Sequence, residues 1–184
     1  MTDPDAAVLA AIADDLDAGF AELVRTHQRV VLSVALRVGG RDAEDLAAEC
    51  FLRAYHALRG YDRSRILALR PRSWLLTILL NTWRNTVRAA SRRPVVAVAE
   101  LPERATAGPS VEQQVADAET RGELAALVST LPENQRVAVV LRHVVDLPVA
   151  EIAAVMAAPE GTVKSHISRG LARLREQYAK EVVR

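Results

Sequence analysis

Apolar residues recur at intervals of three and four along nearly every long segment of this 184-residue chain. Between residues 42 and 58 the positions on this spacing are Ala43, Leu46, Ala47, Cys50, Ala54 and Leu58. Such spacing places apolar side chains on one face of an α-helix, and no long segment shows the alternation of a half-buried strand. The sequence therefore predicts an all-α protein.

Glycine and proline divide the pattern into separate helices. The predicted helices run from near Asp17 to Val38, Asp42–Leu58, Pro71–Ala90, Ser110–Thr130, Glu133–Val145, Pro148–Met156 and Gly161–Gln177. Gly39 and Gly40 end the first, and an arginine-rich loop, Gly60–Arg72, precedes the third. The third helix has a predicted core stripe of Leu76, Leu79, Leu80, Trp83, Val87 and Ala90. Trp83 lies on that stripe, so we interpret it as a core residue rather than a stacking platform. Val95–Ala99, between two prolines, is interpreted as extended linker.

Charge is distributed unevenly although the formal net charge is only +1. Counted from the sequence, the net charge is −5 over residues 1–19, +8 over 20–93, −4 over 94–130 and +2 over 131–184. Two basic blocks separated by an acidic one predict two small helical domains joined by a flexible acidic linker. We assign residues 1–19 to an acidic N-terminal extension, 20–93 and 123–184 to the two domains, and 94–122 to the linker.

The amino-acid composition excludes several classes of protein. The single cysteine, Cys50, excludes an internal disulfide framework and a cysteine-rich zinc site. The longest wholly apolar run, Ala6–Ala13, is too short to cross a bilayer, and the acidic N-terminus does not resemble a signal peptide. We expect a cytoplasmic protein without membrane insertion. No nucleophile–base pair, phosphate loop or metal-ligand spacing is recognisable, so we expect neither an enzyme nor a cofactor or metal.

The stretch 147–171 has the spacing of a helix-turn-helix: a short apolar helix, a tight turn and a second helix. Ile152 and Val155 would pack against the four-residue repeat of Val163, Ile167 and Leu171. The other face of the second helix carries Lys164, Ser165, His166, Ser168 and Arg169. These side chains can donate hydrogen bonds to phosphates and base edges in a major groove. A solvated polar face is the alternative, but the combined pattern favours DNA binding.

The segment from Leu131-Pro-Glu-Asn-Gln-Arg to Arg175 resembles region 4 of the extracytoplasmic-function (ECF) sigma factors of the sigma-70 family, with Glu151-Ile-Ala and Gly161-Thr-Val-Lys-Ser as its closest matches. Asp42-Ala-Glu-Asp-Leu and the segment 74–81 resemble region 2. The resemblance covers about residues 20–93 and 123–176. It implies an RNA polymerase sigma factor, which binds core polymerase and directs it to promoters.

The resemblance also implies roles for particular residues. In region 2 the residues of the −10 reading helix correspond to Asn81, Arg84, Asn85, Arg88 and Arg92, and the loop Gly60–Arg72 lies where a flipped base is captured. The residues that contact the β′ clamp helices of the polymerase correspond to Asp42, Asp45 and Glu49. Region 4 would contact the −35 element and the β flap. An anti-sigma factor is a further implied partner.

Four positions depart from the family pattern. Ala48 replaces a common Gln at the polymerase-facing helix, Pro148 stands where Ser or Thr often caps, and His166 replaces a frequent Arg on the reading helix. Ala157 stands where a turn Gly is usual; if that turn is left-handed, Ala costs about 1–2 kcal/mol there. Two other functions remain open: a stand-alone helix-turn-helix regulator, and a protein–protein adaptor whose helices bind other helices.

Overall fold

A computed structural model of the protein describes residues 4–91 and 125–182, and every regular element in these two stretches is a helix. The prediction of an all-α fold is confirmed. The first stretch contains α1 (Pro4–Asp14), α2 (Leu16–Gly39), a 3₁₀ turn (Gly40–Asp42), α3 (Ala43–Leu58), α4 (Arg63–Leu67) and α5 (Pro71–Ser91). The second contains a helical turn at residues 125–129, α6 (Glu133–His143), α7 (Val149–Met156) and α8 (Glu160–Val182).

The ends of α2 follow from local chemistry. The carboxylate of Asp15 accepts hydrogen bonds from the backbone N–H groups of Asp17 and Ala18, at 2.9 and 3.1 Å, so Asp15 is the N-cap. At the other end Gly40 has φ +62° and ψ −121°, a conformation open essentially to glycine alone. Gly40 therefore ends α2 close to the predicted position and turns the chain into α3.

Helix α1 is a correction to the sequence prediction, which placed residues 1–19 in an extension and the first helix near Asp17. Val8, Leu9 and Ile12 are buried against the rest of the domain, and α1 packs on α2 and α4. Alanine occupies most of the remaining positions of α1, so the two faces of this helix differ too little in polarity for apolar spacing to reveal it. A Cβ on Gly19 would stand 2.3 Å from the backbone nitrogen of Ile12, so α1 and α2 touch backbone to backbone.

The core of the first domain lies between α2, α3 and α5. All six residues of the predicted α3 stripe are buried, and so are Leu76, Leu79, Leu80 and Trp83 of α5. Trp83 is 6% exposed, which confirms its assignment to the core. Val87 is 44% exposed, so its place in the predicted stripe is wrong. The described side chains from Asn85 to Ala89 are all exposed, because the end of α5 extends past the bundle.

The second domain is a helix-turn-helix supported by α6. Ile152 and Val155 of α7 are buried together with Val163 of α8, and Ile167 packs against the same core. Ala157, between the two helices, has φ 51° and ψ 46°, the left-handed conformation anticipated for the turn. The N-cap position of α7 is Pro148, whose side chain makes no capping hydrogen bond. Helix α8 continues to Val182, five residues beyond its predicted end.

The two domains are in contact. Helix α5 packs on α7 and α2 packs on α6, and buried side chains of both domains form one continuous apolar cluster. The predicted linker 94–122, its Val95–Ala99 segment and most of the predicted helix Ser110–Thr130 lie outside the described residues.

Candidate nucleic-acid and protein interfaces

The predicted −35 reading residues lie on the first half of α8. Lys164, Ser168 and Arg169 are exposed and Ser165 is half-buried. At about 100° per residue these four occupy an arc of about 140° around the helix, opposite the buried Val163 and Gly170. His166 falls outside that arc, and its Nδ1 is buried without a hydrogen-bond partner. The structure thus brings four of the five residues to one face and places His166 at its edge.

A groove of about 390 Å³ adjoins this face and adds basic residues that the sequence argument did not identify. Arg142 and His143, at the end of α6, line it together with Lys164, Ser168 and Arg175. Arg142 donates from Nη1 to the carbonyl of Leu147 at 3.0 Å, which ties α6 to the start of the helix-turn-helix. Spacing along α8 identifies Arg175, which follows Lys164 and Ser168 at helical intervals, but it cannot identify Arg142 and His143, which lie on another helix.

The predicted −10 residues form one stripe along the outer half of α5. Asn81, Asn85 and Arg88 are exposed. Arg84 differs, because its side chain is only 18% exposed and its Nε lies 3.4 Å from Oε1 of Glu133 on α6. Arg92 lies outside the described residues. The stripe therefore combines amides, suited to the Watson–Crick edges of unpaired bases, with guanidinium groups suited to a strand backbone.

The loop predicted before α5 contains a short helix, α4. Asp62 caps it by accepting from the N–H of Arg65 at 2.8 Å. Hydrogen bonds from the Ser64 hydroxyl and then the Arg65 amide hold the pKa of the Asp62 carboxyl below its usual range. The Arg65 guanidinium lies 3.8 Å from the ring centroid of Tyr61, which itself lies 6.2 Å from Trp74. These aromatic residues were missed because they are not adjacent in the sequence.

The acidic stripe begins at the N-terminal end of α3. Asp42 and Asp45 are exposed, and the half-exposed Glu49 accepts from Nε of Arg53 at 2.6 Å. On another side of α3, a groove of about 490 Å³ separates this helix from α2, with Val24, Leu32 and Phe51 among its walls and Glu44 as its acidic residue. Leu36 and Leu52 are more than half exposed on these helices. Ala48, where the family often has Gln, also lines the groove.

In residues 4–91 and 125–182 no three His, Cys, Asp or Glu side chains are grouped as metal ligands would be. None of the helices in these stretches is both long enough and apolar enough to span a bilayer.

Comparison with known proteins follows the same division into two halves. Residues 23–93 match the family model for sigma-70 region 2, and residues 121–174 match the model for sigma-70 region 4. Together these models cover more than half of the chain. Among solved structures, CnrH in complex with the cytosolic domain of CnrY has a TM-score of 0.68 and 25% identity, over 97% of this chain and 99% of that one. The sigma factor RpoE of Bartonella quintana, solved in complex with the anti-sigma factor NepR, has a TM-score of 0.65 and 22% identity, over 85% of this chain and 94% of that one. At this identity the similarity supports the fold only.

Curated relatives agree with these models. The chain is 35% identical to the ECF RNA polymerase sigma factor SigE of Mycolicibacterium smegmatis, over 86% of this chain and 61% of that protein. It therefore spans less than two thirds of that relative. It is 34% identical to the ECF RNA polymerase sigma-E factor of Escherichia coli K12, over 80% of this chain and 79% of that protein. Both halves of the sigma pattern are present in order, and the chain belongs to the sigma-70 family of RNA polymerase sigma factors, in its extracytoplasmic-function group.

Proposed function

We propose that this chain binds core RNA polymerase in the cytoplasm and directs it to promoters. The N-terminal face of α8 reads the −35 duplex, and the α5 stripe with the loop before it reads the opened −10 element. The observation that supports this proposal most is that one chain carries two different exposed polar faces, one on α8 and one on α5. The α8 face suits a duplex, whereas exposed amides at Asn81 and Asn85 suit bases that are no longer paired.

The acidic stripe supplies the polymerase contact in this proposal. Asp42 and Asp45 are exposed at one end of α3, and Glu44, which lies between them in the sequence, lines the groove between α2 and α3. Exposed carboxylates steer association with a basic partner, and the apolar side chains of the groove add burial on contact. The β′ clamp helices fit the stripe, and the β flap is assigned to the second domain. Residues 20–93, 94–122 and 123–184 act as region 2, linker and region 4, without catalytic chemistry or a cofactor.

An anti-sigma factor completes the set of partners. Structural similarity to CnrH, solved as a complex with a domain of another protein, supports a partner of that kind. Such a partner would cover the surfaces that polymerase and DNA use.

Co-purification with core polymerase, followed by run-off transcription, tests the proposal. We expect the chain to associate with core and to give promoter-dependent transcripts. The double substitution Asp45→Arg with Glu49→Arg should reduce association, because it reverses the charge of the exposed stripe. A matched control, Glu22→Arg with Glu176→Arg, makes the same charge change at two other surface positions and should associate normally.

The stand-alone regulator predicts a different result. Such a protein binds its duplex tightly and specifically without polymerase and gives no transcripts when added to core. The sigma proposal predicts weak, poorly selective binding by the free chain and tight, selective binding by the holoenzyme on the same promoter at one salt concentration. A free chain with the affinity and selectivity of the holoenzyme would overturn the proposal.

A further inference from the structure

The loop before α5 is attached to the first helix of the chain. Arg63, the first residue of α4, donates from Nη1 to a carboxylate oxygen of Asp14 at 2.6 Å and to the backbone carbonyl of Ala13 at 3.0 Å. Both acceptors lie in the last turn of α1, 49 and 50 residues earlier in the sequence. One guanidinium therefore joins the loop to a helix that contributes none of the predicted DNA-reading residues.

This attachment suits the end of α1. The last carbonyl groups of a helix have no partner within it, and the partial negative charge there disfavours a carboxylate such as that of Asp14. The last turn of α1 contains no basic residue of its own. Arg63 supplies a donor for the Ala13 carbonyl and a positive charge for Asp14, so the end of α1 and the start of α4 stabilise each other.

Helix α1 is itself firmly held, so it can serve as a fixed support. Leu9 and Ile12 are buried, and the backbone of α1 lies against Gly19 of α2 with no room for a Cβ. Helix α1 also packs on α4, and Leu9 lines a cavity of about 560 Å³ together with Leu67 and Leu69 of the loop. The helix and the loop therefore meet through packing as well as through the ion pair.

The other side of α4 carries groups that can hold a base. Arg65 follows Arg63 by two residues, which is about 200° around a helix. The Arg65 guanidinium lies 3.8 Å from the ring centroid of Tyr61, and its backbone N–H donates to the Asp62 carboxylate at 2.8 Å. A guanidinium and an aromatic ring are surfaces on which an unpaired base can stack. The place of these groups relative to the −10 stripe depends on where α4 is held.

We propose that α1 holds the loop Gly60–Arg72 in the position in which it captures a −10 base, and that Asp14 and Arg63 are the residues that fix this position. The inference rests on the proposed function and deepens it, because it makes selectivity for the captured base depend on the first helix. Arg63 is a positioning residue in this proposal: it acts through the loop and does not bind DNA itself.

Direct binding of Arg63 to a DNA phosphate is the competing explanation, since its side chain is 59% exposed. The two explanations differ in what Asp14 does. For direct binding, Asp14 competes with DNA for the guanidinium, so Asp14→Ala should leave DNA binding unchanged or make it tighter. For positioning, Asp14→Ala and Arg63→Ala remove the same attachment and should cause similar losses.

The test measures run-off transcription by holoenzyme reconstituted from core polymerase and the full-length chain. Each base of the −10 element is substituted in turn, and selectivity at a position is the ratio of initial rates between the preferred base and its replacements. Asp14→Ala and Arg63→Ala should each lower this ratio about two- to fivefold, the range expected of an exposed ion pair. The loss should fall at one and the same position, that of the captured base. The double variant should lose no more than Arg63→Ala does, because the two residues act as one unit.

Two further variants make the result specific. The charge-swapped variant, Asp14→Arg with Arg63→Asp, restores opposite charges, and each new residue suits the helix end that it occupies. It should recover the ratio, which it could not do if Arg63 bound a phosphate. Glu22→Ala with Arg25→Ala removes an exposed ion pair from α2 and should leave the ratio unchanged. The slope of log promoter affinity against log salt should keep its wild-type value in Arg63→Ala, because no phosphate contact is lost.

The outcomes decide between the two roles of Arg63. Similar losses in the single variants at one −10 position, with recovery in the charge-swapped variant, support positioning. An unchanged ratio in Asp14→Ala, losses at every −10 position, or a charge-swapped variant as poor as Arg63→Ala overturns it.

Hydrogen exchange of the α4 amides in the free chain separates this inference from the proposed function, because it needs no polymerase. Asp14→Ala should speed the exchange of these amides, and the charge-swapped variant should restore it. If it does so while wild-type chain and core give no promoter-dependent transcripts, the proposed function fails and the attachment of the loop to α1 stands. Wild-type exchange rates in Asp14→Ala overturn the attachment.

Discussion

The left-handed turn at Ala157 gives a quantitative test of how this helix-turn-helix is held. Its φ of 51° and ψ of 46° place an alanine where a Cβ crowds the following carbonyl, at a cost of about 1–2 kcal/mol. The turn persists because the N–H of Ala157 bonds to the carbonyl of Ala154 at 3.2 Å, and that of Ala158 bonds to the carbonyl of Ala153 at 3.0 Å. The buried pair Ile152 and Val163 then holds the two helices together across the turn.

Substitution of Ala157 by glycine removes the steric cost but enlarges the conformational freedom of the unfolded chain. The second effect opposes folding by about 0.4–1 kcal/mol. The difference predicts a stabilisation of about 0.5–1 kcal/mol, which raises the melting temperature of a chain of this size by about 1–4 °C. Ala157 is exposed, so no packing is lost.

Scanning calorimetry together with urea unfolding measures this change. Ala154→Gly is the matched control, because Ala154 is also exposed but lies inside α7 with ordinary helical geometry. That control should lose about 0.5–1 kcal/mol. The reasoning is refuted if Ala157→Gly destabilises the protein by as much as Ala154→Gly does, because glycine would then gain nothing from the left-handed turn.

Four further predictions concern other parts of the molecule. Gly19→Ala should lower stability by about 1–3 kcal/mol and speed hydrogen exchange in α1, because its Cβ meets backbone, whereas Gly161→Ala, which meets nothing within 4 Å, should not. Burial lowers the pKa of His27 below 6.5; the charge of Asp5 opposes this shift and that of Arg72 adds to it. As the pH falls, the unfolded state therefore takes up a proton on this histidine before the folded state does, so the free energy of unfolding should be constant above about pH 6.5 and decrease in more acid solution. His27→Gln should remove this pH dependence. Asn81→Ala should reduce run-off transcription from a closed linear promoter more than from one with a pre-melted −10 bubble, because unpaired bases are read only after unstacking; equal losses would indicate a role in folding. Arg169→Ala should weaken holoenzyme binding to the promoter and lower the slope of log affinity against log salt by about one unit, as for one lost phosphate contact.

Helical periodicity predicts those parts of the fold in which apolar and polar residues contrast. In α3 the contrast is strong, and every residue of the predicted face is buried. In α1 alanine fills five of the eleven positions and polar residues are few, so spacing alone does not mark the buried Val8, Leu9 and Ile12 as one face of a helix. Periodicity also assumes that a helix is covered along its whole length. Val87 is exposed because α5 runs past its neighbours, and that depends on tertiary structure.

The candidate sites were predicted to the extent that they lie on single helices. The exposed Lys164, Ser168 and Arg169 follow directly from the spacing of α8. Residues contributed by another element were missed, including Arg142 beside the reading helix and Trp74 beside Tyr61. These contacts join residues by way of turns whose direction cannot be obtained from spacing along one helix.

Contacts between the domains could not be predicted from the sequence, and one of them adds a second partner to the expected role of Arg84. Spacing alone places Arg84 on the −10 stripe with Asn81 and Asn85, and the structure agrees about the face. The structure also shows its guanidinium paired with Glu133 of region 4. Because one guanidinium cannot lie against Glu133 and a DNA strand at the same time, the two contacts compete. Each contact therefore weakens the other by the same free energy, so DNA bound at the −10 stripe favours the separated domains as much as separation favours DNA binding.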